Sequence, residues 1–171
     1  MKNKPLVLDS SPLIYLVKVG LSWVFGELDE VYIVSEVKKE VVDTGKSGGF
    51  SDAFIVEDLI KRSVLKVKCP SDNEFISKLS AISELHTADV KTLALAREIK
   101  GIAIIDEEIG RNIGKMLGIE VMGSAYMLFR MMMKGRLDKV QTRGIIDGMI
   151  SEGWWCSAEC YAKILKLIDE F

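Results

Sequence analysis

The chain has 171 residues, which is enough for one domain with a full hydrophobic core. Hydrophobic residues make up 49% of it and charged residues 28%, which is typical of a globular protein and excludes a disordered one. The net charge of −2 provides no overall positive field to attract nucleic acid or an anionic membrane. A nucleic-acid partner would therefore need a local basic rim or bridging metal ions.

The cysteines and the first residues indicate the compartment. Cys69, Cys156 and Cys160 form no CxxC pair, which is typical of a reducing environment, and with the single histidine His86 they argue against a structural zinc site. Residues 1–5 lead into a predicted strand and not into the long apolar segment of a secretory signal. The apolar stretch 121–133 is interrupted by Arg130 and is too short to cross a bilayer. We expect a cytoplasmic protein with no membrane contact.

The hydrophobic pattern predicts five short strands. The first, 6–8, ends on Asp9 and is followed at once by a helix, for which we expect Ser11 as the N-cap and Pro12 at the first helical position. The remaining strands are predicted at 31–34, 64–67, 102–105 and 119–122. The run 102–105 is continuously apolar, as in a strand buried on both faces, and it ends on Asp106.

Helices are predicted between and after these strands. Their expected ranges are 12–19, 21–28, 36–43, 52–62, a helix opening at 71–74, then 88–99, 107–117, 125–134, 137–150 and 158–171. The Gly-Lys-Ser of segment 44–50 lacks the spacing and the preceding strand of a phosphate-binding loop, so we expect a flexible surface loop there. The methionines at 131–133 are expected in the core or on a dimer surface.

Alternating strands and helices predict a Rossmann-like three-layer α/β/α fold with a central parallel sheet of about five strands. We expect one domain over 1–171, with the helices of 137–171 as a C-terminal elaboration. Ligands of such sheets bind at the carboxyl ends of the strands, which is where Asp9 and Asp106 stand.

Four acids then form the candidate site: Asp9, Glu40, Asp89 and Asp106. Each has an ordinary explanation by itself, as a turn residue, a solvated helix face or a partner of a helix dipole. Gathered in one cleft, however, such carboxylates repel each other unless a cation neutralises them, and oxygen ligands favour Mg²⁺ or Mn²⁺. A bound cation of this kind can activate water for phosphodiester hydrolysis.

The segments LVLDSSPLIYL, SEVKKEV, TADVKTLALAREIKG and IAIIDEEIGRNIGKMLGIEVMGS resemble the PIN-domain nuclease family, and in particular a prokaryotic toxin-type subgroup. The resemblance covers nearly the whole chain. It implies a Rossmann-like parallel sheet and a cluster of acids that bind Mg²⁺ or Mn²⁺ to cut RNA.

The resemblance also implies roles for individual residues. Asp9, Glu40, Asp89 and Asp106 fall on the catalytic acidic positions, with Asp9, Asp89 and Asp106 as metal ligands. Ser11 and Arg111 fall on supporting or substrate-contacting positions. The subgroup often carries glutamate at the third position, so Glu84 is an alternative to Asp89, and Glu107 is an alternative ligand beside Asp106.

Two further sets of residues stay open at this point. Lys38, Lys39 and Lys46 are candidates for phosphate contacts or simply for solubility. Trp154-Trp155 either stacks on bases or packs the last helix, and we favour packing.

The sequence therefore predicts a Mg²⁺- or Mn²⁺-dependent endoribonuclease acting on RNA. The family resemblance adds a toxin role with a small antitoxin protein, and we also expect a homodimer. The alternative is a catalytically weak or inactive binding module that uses 125–133 and the terminal helices as a partner surface.

Overall fold

The computed structural model describes residues 4–171. Its centre is a sheet of five parallel strands: β1 (Leu6–Leu8), β2 (Val31–Ile33), β3 (Lys66–Val67), β4 (Ile102–Ile104) and β5 (Glu120–Met122). The strand order is β3-β2-β1-β4-β5, so β1 is central and has β2 and β4 as neighbours. This confirms the predicted three-layer α/β/α fold with a parallel sheet.

The α-helices cover both faces of the sheet, as expected for parallel strands joined by crossovers. They are α1 (Ser10–Lys18), α2 (Ser35–Lys38), α3 (Gly45–Ser47), α4 (Ser51–Lys61), α5 (Asn73–Ser80), α6 (Thr87–Glu98), α7 (Glu108–Met116), α8 (Ala125–Met133), α9 (Lys139–Ser151) and α10 (Ala158–Glu170). A 3₁₀ helix spans Ser22–Glu27, where the sequence predicted an α-helix, and a π-helical segment spans Lys39–Thr44.

The two strands that end beside the acids are the most deeply buried. Every residue of β1 and of β4 is buried, because the apolar runs that form them face helices on both sides. β1 pairs in register with β4, so that Leu8 lies opposite Ile104. The carboxyl ends of these two strands therefore meet at one edge of the sheet.

The predicted N-cap of the first helix is wrong. α1 begins at Ser10, and its N-cap position is Asp9, whose side chain makes no capping hydrogen bond. The Ser11 hydroxyl donates to Asp106 at 3.1 Å and therefore does not cap the helix. A tertiary hydrogen bond has replaced the local one.

The predicted surface loop at 44–50 is wrong in its first half. The helix that starts with α2 continues through the π-helical segment into α3 and ends only at Ser47. A Cβ at Gly45 would lie 2.9 Å from the Cβ of Ala53 in α4. Glycine at this position therefore lets the helix continue while it packs closely against α4.

The methionines of α8 belong mainly to the core. Met131 and Met132 are buried, whereas Met133 is 62% exposed. Helix α9 packs against α1, α8 and α10. None of the helices in residues 4–171 combines the length and apolar character that a bilayer-spanning helix needs.

Substitution by alanine should have opposite effects on stability at two glycines that lie within helices. A Cβ at Gly114 in α7 would lie 2.4 Å from Val121 Cγ2 and 2.8 Å from Leu93 Cδ2, whereas a Cβ at Gly144 in α9 would meet open space. Overpacking costs about 1–3 kcal/mol and the helical preference of alanine recovers about 1 kcal/mol. We expect Gly114→Ala to lower the free energy of unfolding by up to about 2 kcal/mol and Gly144→Ala to raise it by up to about 1 kcal/mol.

Urea denaturation of both variants measures the difference. Equal stabilisation by the two substitutions would show that α7 does not pack on β5 and α6 as closely as described.

Candidate active site

Asp9 and Asp106 stand side by side at the carboxyl edge of the sheet. Asp9 follows β1 directly and Asp106 follows β4 after Ile105, and the Asp9 backbone N–H donates to the Ile104 carbonyl oxygen at 3.0 Å. The Asp9 side chain caps no helix, so the ordinary explanation for an aspartate at a strand-to-helix junction does not apply.

The Asp106 carboxylate is held by donors from two elements. Its Oδ1 accepts from the Ser124 backbone N–H at 2.8 Å, and its Oδ2 accepts from the Ser124 hydroxyl at 2.6 Å and the Ser11 hydroxyl at 3.1 Å. Ser124 is fully buried. A Cβ at Gly123 would lie 3.4 Å from Oδ1, so the glycine keeps this side of the carboxylate open. Asp106 is therefore fixed between the start of α1 and the end of β5.

Glu40 is held in a similar way on the other side of Asp9. The Ser10 hydroxyl donates to Glu40 Oε2 at 2.7 Å. Glu40 lies in the π-helical segment Lys39–Thr44, and π-helical turns inside α-helices occur frequently at functional sites. The consecutive residues Ser10 and Ser11 thus orient the two acids that flank Asp9.

Helix α6 contributes Asp89 to the site. Its side chain is buried and accepts a hydrogen bond from the His86 backbone N–H at 3.1 Å. Burial raises the pKa of Asp89, and the neighbouring carboxylates of Glu107 and Glu40 raise it further, against the lowering effect of that hydrogen bond. A favourable interaction with the helix dipole explains why an acid lies in the first turn of α6, but it does not explain why the Asp89 side chain is buried.

Asp9 experiences the strongest electrostatic effect of this cluster. Burial and the nearby Asp89 carboxylate raise its pKa from 3.8 to about 7, with smaller contributions from Glu40 and Asp106. The Ser10 N–H lowers the pKa of Asp9 but does not offset these effects. Asp89, Glu40 and Asp106 are thus close enough to Asp9 to disfavour its ionisation.

Two adjoining clefts open at this edge of the sheet and share Asp9, Ser11 and Glu107. The acidic cleft, about 540 Å³, is lined by Asp9, Ser10, Ser11, Glu36, Glu40, His86, Thr87, Ala88, Asp89 and Glu107. The tryptophan cleft, about 510 Å³, is lined by Asp9, Ser11, Asp106, Glu107, Glu108, Ile109, Trp154 and Trp155.

Several predicted residues lie elsewhere. Arg111 donates to the carbonyl oxygens of Asp106 and Ile105 and lines neither of these two clefts. It lines instead a neighbouring cavity of about 580 Å³ that also contains Asp106 and Trp155. Lys46 pairs with Glu57 at 3.0 Å, away from both clefts. Lys38, Lys39 and Glu84 also lie outside the two cleft linings, and Glu84 is exposed.

The sequence reasoning missed four residues of the site. Ser10 and Ser124 orient Glu40 and Asp106, and Lys91 donates to Glu36 in the wall of the acidic cleft. Burial opposes ionisation of Glu36, but the hydrogen bonds from Lys91 and Ser35 outweigh it and lower the pKa of Glu36. Ser124 could have been found from its position two residues after the predicted fifth strand, at the edge of the sheet where a cleft residue is expected.

The donor chemistry of the site fits a hard divalent cation. The acids offer only oxygen ligands, and the pKa of Asp9 is raised by burial and by the nearby Asp89 carboxylate. Within residues 4–171, however, no three His, Cys, Asp or Glu side chains form a ready coordination group. The predicted metal ligands thus share one region without forming a complete ligand set.

Comparison with known proteins identifies the family. A family model described as a PIN domain matches residues 5–170, which is nearly the entire chain. The chain belongs to the PIN-domain family. No match was found among curated proteins. Membership confirms the resemblance seen in the sequence and assigns this PIN domain a nuclease-type fold.

Removal of the Asp9 charge should stabilise the metal-free protein at high pH. The pKa of Asp9 is higher in the folded state, so the stability it contributes is complete below about pH 4 and is lost as the pH rises to about 7. We expect Asp9→Asn to have a higher melting temperature than the wild type near pH 8 in EDTA, by about 2–4 °C for each kcal/mol of added stability. This difference in melting temperature should shrink near pH 5.

Differential scanning fluorimetry at the two pH values measures the gap. Asp58→Asn, which changes an exposed acid on α4 paired with Arg62, serves as the control and should show no such pH-dependent gain. A gap that stays constant with pH would contradict the electrostatic description of the cluster.

Loss of the Ser124 hydroxyl should destabilise the fold. A hydrogen bond to a charged group contributes about 1.5–3 kcal/mol, so we expect Ser124→Ala to lower the free energy of unfolding by about that amount. Ser80→Ala, which removes an exposed hydroxyl that donates only to the Ile76 carbonyl of its own helix, is the matched control and should change little. Chemical denaturation compares the two variants.

Proposed function

We propose that this PIN domain is a Mg²⁺- or Mn²⁺-dependent endoribonuclease. The observation that carries the proposal is the convergence of Asp9, Glu40, Asp89 and Asp106 on adjoining clefts at the carboxyl edge of the sheet, with the pKa of Asp9 raised to about 7. Such a concentration of like charge favours a bound divalent cation.

In this proposal Asp9 and Asp106 hold the cation directly, and Asp89 holds it directly or through water. When bound, the cation lowers the pKa of a water molecule and stabilises negative charge on the phosphate. Glu40 orients or deprotonates the attacking water, and the Ser10 hydroxyl at 2.7 Å fixes its carboxylate for that task.

The serines reduce the reorganisation that catalysis requires. Ser11 and Ser124 keep the Asp106 carboxylate in one orientation before any ligand arrives. Outer-sphere partners of this kind typically change metal affinity or activity by about 10- to 100-fold. The toxin role, a small antitoxin partner, a homodimer and a cytoplasmic location rest on the sequence and the family resemblance and stay predictions.

A second candidate function is a binding module without nuclease activity. It is favoured by the hydrogen bonds that both oxygens of Asp106 already accept, and by the absence of a ready coordination group in the described residues 4–171. Thermal denaturation with increasing Mn²⁺ discriminates between the two, because a ligand that binds only the folded state raises the melting temperature.

Substitution of the acids tests the nuclease proposal. We expect Asp9→Asn, Asp89→Asn and Asp106→Asn each to reduce Mg²⁺-dependent cleavage of a labelled RNA by more than the roughly 10- to 100-fold that loss of an outer-sphere partner costs. Each variant should also lose the Mn²⁺-induced rise in melting temperature. Purified protein, a fluorescent RNA and a denaturing gel are sufficient.

Glu84→Gln is the matched control, because Glu84 is an exposed acid outside both clefts. It should keep full activity. Cleavage that survives in Asp9→Asn, or a wild-type protein that shows neither cleavage nor stabilisation by Mn²⁺, would reject the proposal.

A further inference from the structure

The two adjacent tryptophans after α9 differ in their exposure to solvent. Trp154 is 6% exposed and packs in the core, whereas Trp155 is 73% exposed. Packing of the C-terminal helices therefore accounts for Trp154 but not for Trp155. Trp155 lines the tryptophan cleft together with Asp9, Ser11 and Asp106.

The backbone that carries Trp155 is anchored on both sides. Before it, the Gly153 carbonyl oxygen accepts from the Tyr15 hydroxyl at 3.0 Å, and the Trp154 backbone N–H donates to the Met149 carbonyl oxygen at 2.9 Å. After it, the Ser157 side chain caps α10 by accepting from the Cys160 N–H at 3.1 Å. Trp155 is thus an exposed aromatic side chain on a fixed segment, which reduces the entropy lost when a ligand stacks on it.

The charges of the two clefts limit how a nucleic acid can bind there. Among the described residues that line them, acids are frequent and neither Lys nor Arg occurs. Contacts between basic residues and phosphates, which usually supply most of the affinity for nucleic acids, can come instead from Arg111 and Lys163, which line a neighbouring cavity of about 580 Å³ together with Asp106 and Trp155. Within the two clefts themselves, affinity has to come from a bound cation and from contacts to the bases.

We infer that Trp155 is a stacking platform for one unpaired base of the RNA substrate, beside the scissile phosphate. The exposed side chain of Ile109, 42% accessible in the same cleft, extends this apolar wall. Aromatic side chains stack on every base, and a base inside a duplex is not available for stacking. Trp155 thus selects single-stranded RNA without selecting a base sequence. The inference rests on the proposed nuclease function and assigns Trp155 a substrate-binding role in it.

Intrinsic fluorescence tests the inference independently of cleavage. A short single-stranded RNA is titrated in Ca²⁺ in place of Mg²⁺, with a gel to check that the RNA stays intact. We expect the RNA to quench wild-type fluorescence, and Trp155→Ala to lose most of the quenching and to bind about 5- to 150-fold more weakly. Trp155→Phe, which keeps an aromatic ring, should retain most of the affinity.

Trp23→Phe is the matched control, because Trp23 is also exposed, at 41%, but lines a cavity on a different part of the molecule. It should leave the affinity and the absolute loss of fluorescence on RNA binding unchanged. Equal melting temperatures of the variants exclude unfolding as the cause.

RNAs with a single abasic site locate the stacked base. One abasic position should weaken binding to the wild type by the same factor as Trp155→Ala, and should have no further effect in that variant. In cleavage assays, Trp155→Ala should raise KM for single-stranded RNA more than it lowers kcat.

Unchanged RNA affinity in Trp155→Ala, with cleavage by the wild type intact, overturns the stacking inference alone and points to Trp155 as a protein-docking residue. Wild-type protein that neither binds nor cleaves the RNA overturns both the inference and the proposed function.

Discussion

The site depends on the in-register pairing of β1 with β4. Because parallel strands end at the same edge, this pairing places Asp9 and Asp106 next to each other before any side chain is considered. The apolar helices on both faces bury the strand ends, so the acids lie where water screens their charges poorly. The raised pKa of Asp9 is the direct consequence of this placement.

The protein orients these acids with neutral donors and does not neutralise them. Ser10, Ser11 and Ser124 donate to Glu40 and Asp106, whereas Arg111 donates to backbone carbonyl oxygens. A basic side chain among the acids would stabilise the fold, but it would occupy the space and the charge that a cation needs. Hydroxyl groups fix the geometry and leave the negative charge available, at some loss of stability in the metal-free protein.

The sequence predicted what local patterns determine. The apolar runs of β1 and β4 and the acids at their ends are readable because a buried parallel strand has a distinctive composition. The family resemblance placed Ser11 beside a ligand carboxylate or a phosphate oxygen, and its hydroxyl donates to Asp106. The bond from the Ser124 hydroxyl to Asp106 was not readable, because a serine at a helix start also has a local capping role. The π-helical turn of Glu40 and the opposite exposures of Trp154 and Trp155 also depend on tertiary packing, which no short window of sequence contains.

The two clefts suggest how metal and substrate binding depend on each other. Under the proposed nuclease function, the acidic wall would repel the phosphates of an RNA and the apolar wall at Trp155 would attract its bases, so the polymer would gain full affinity only when a cation offsets the repulsion. Because coupling between two ligands is reciprocal, bound RNA then strengthens cation binding by the same factor. An incomplete set of protein ligands is consistent with this coupling, since phosphate oxygens of the substrate would supply the remaining contacts to the ion. On this view the metal site and the substrate site of this PIN domain are completed together.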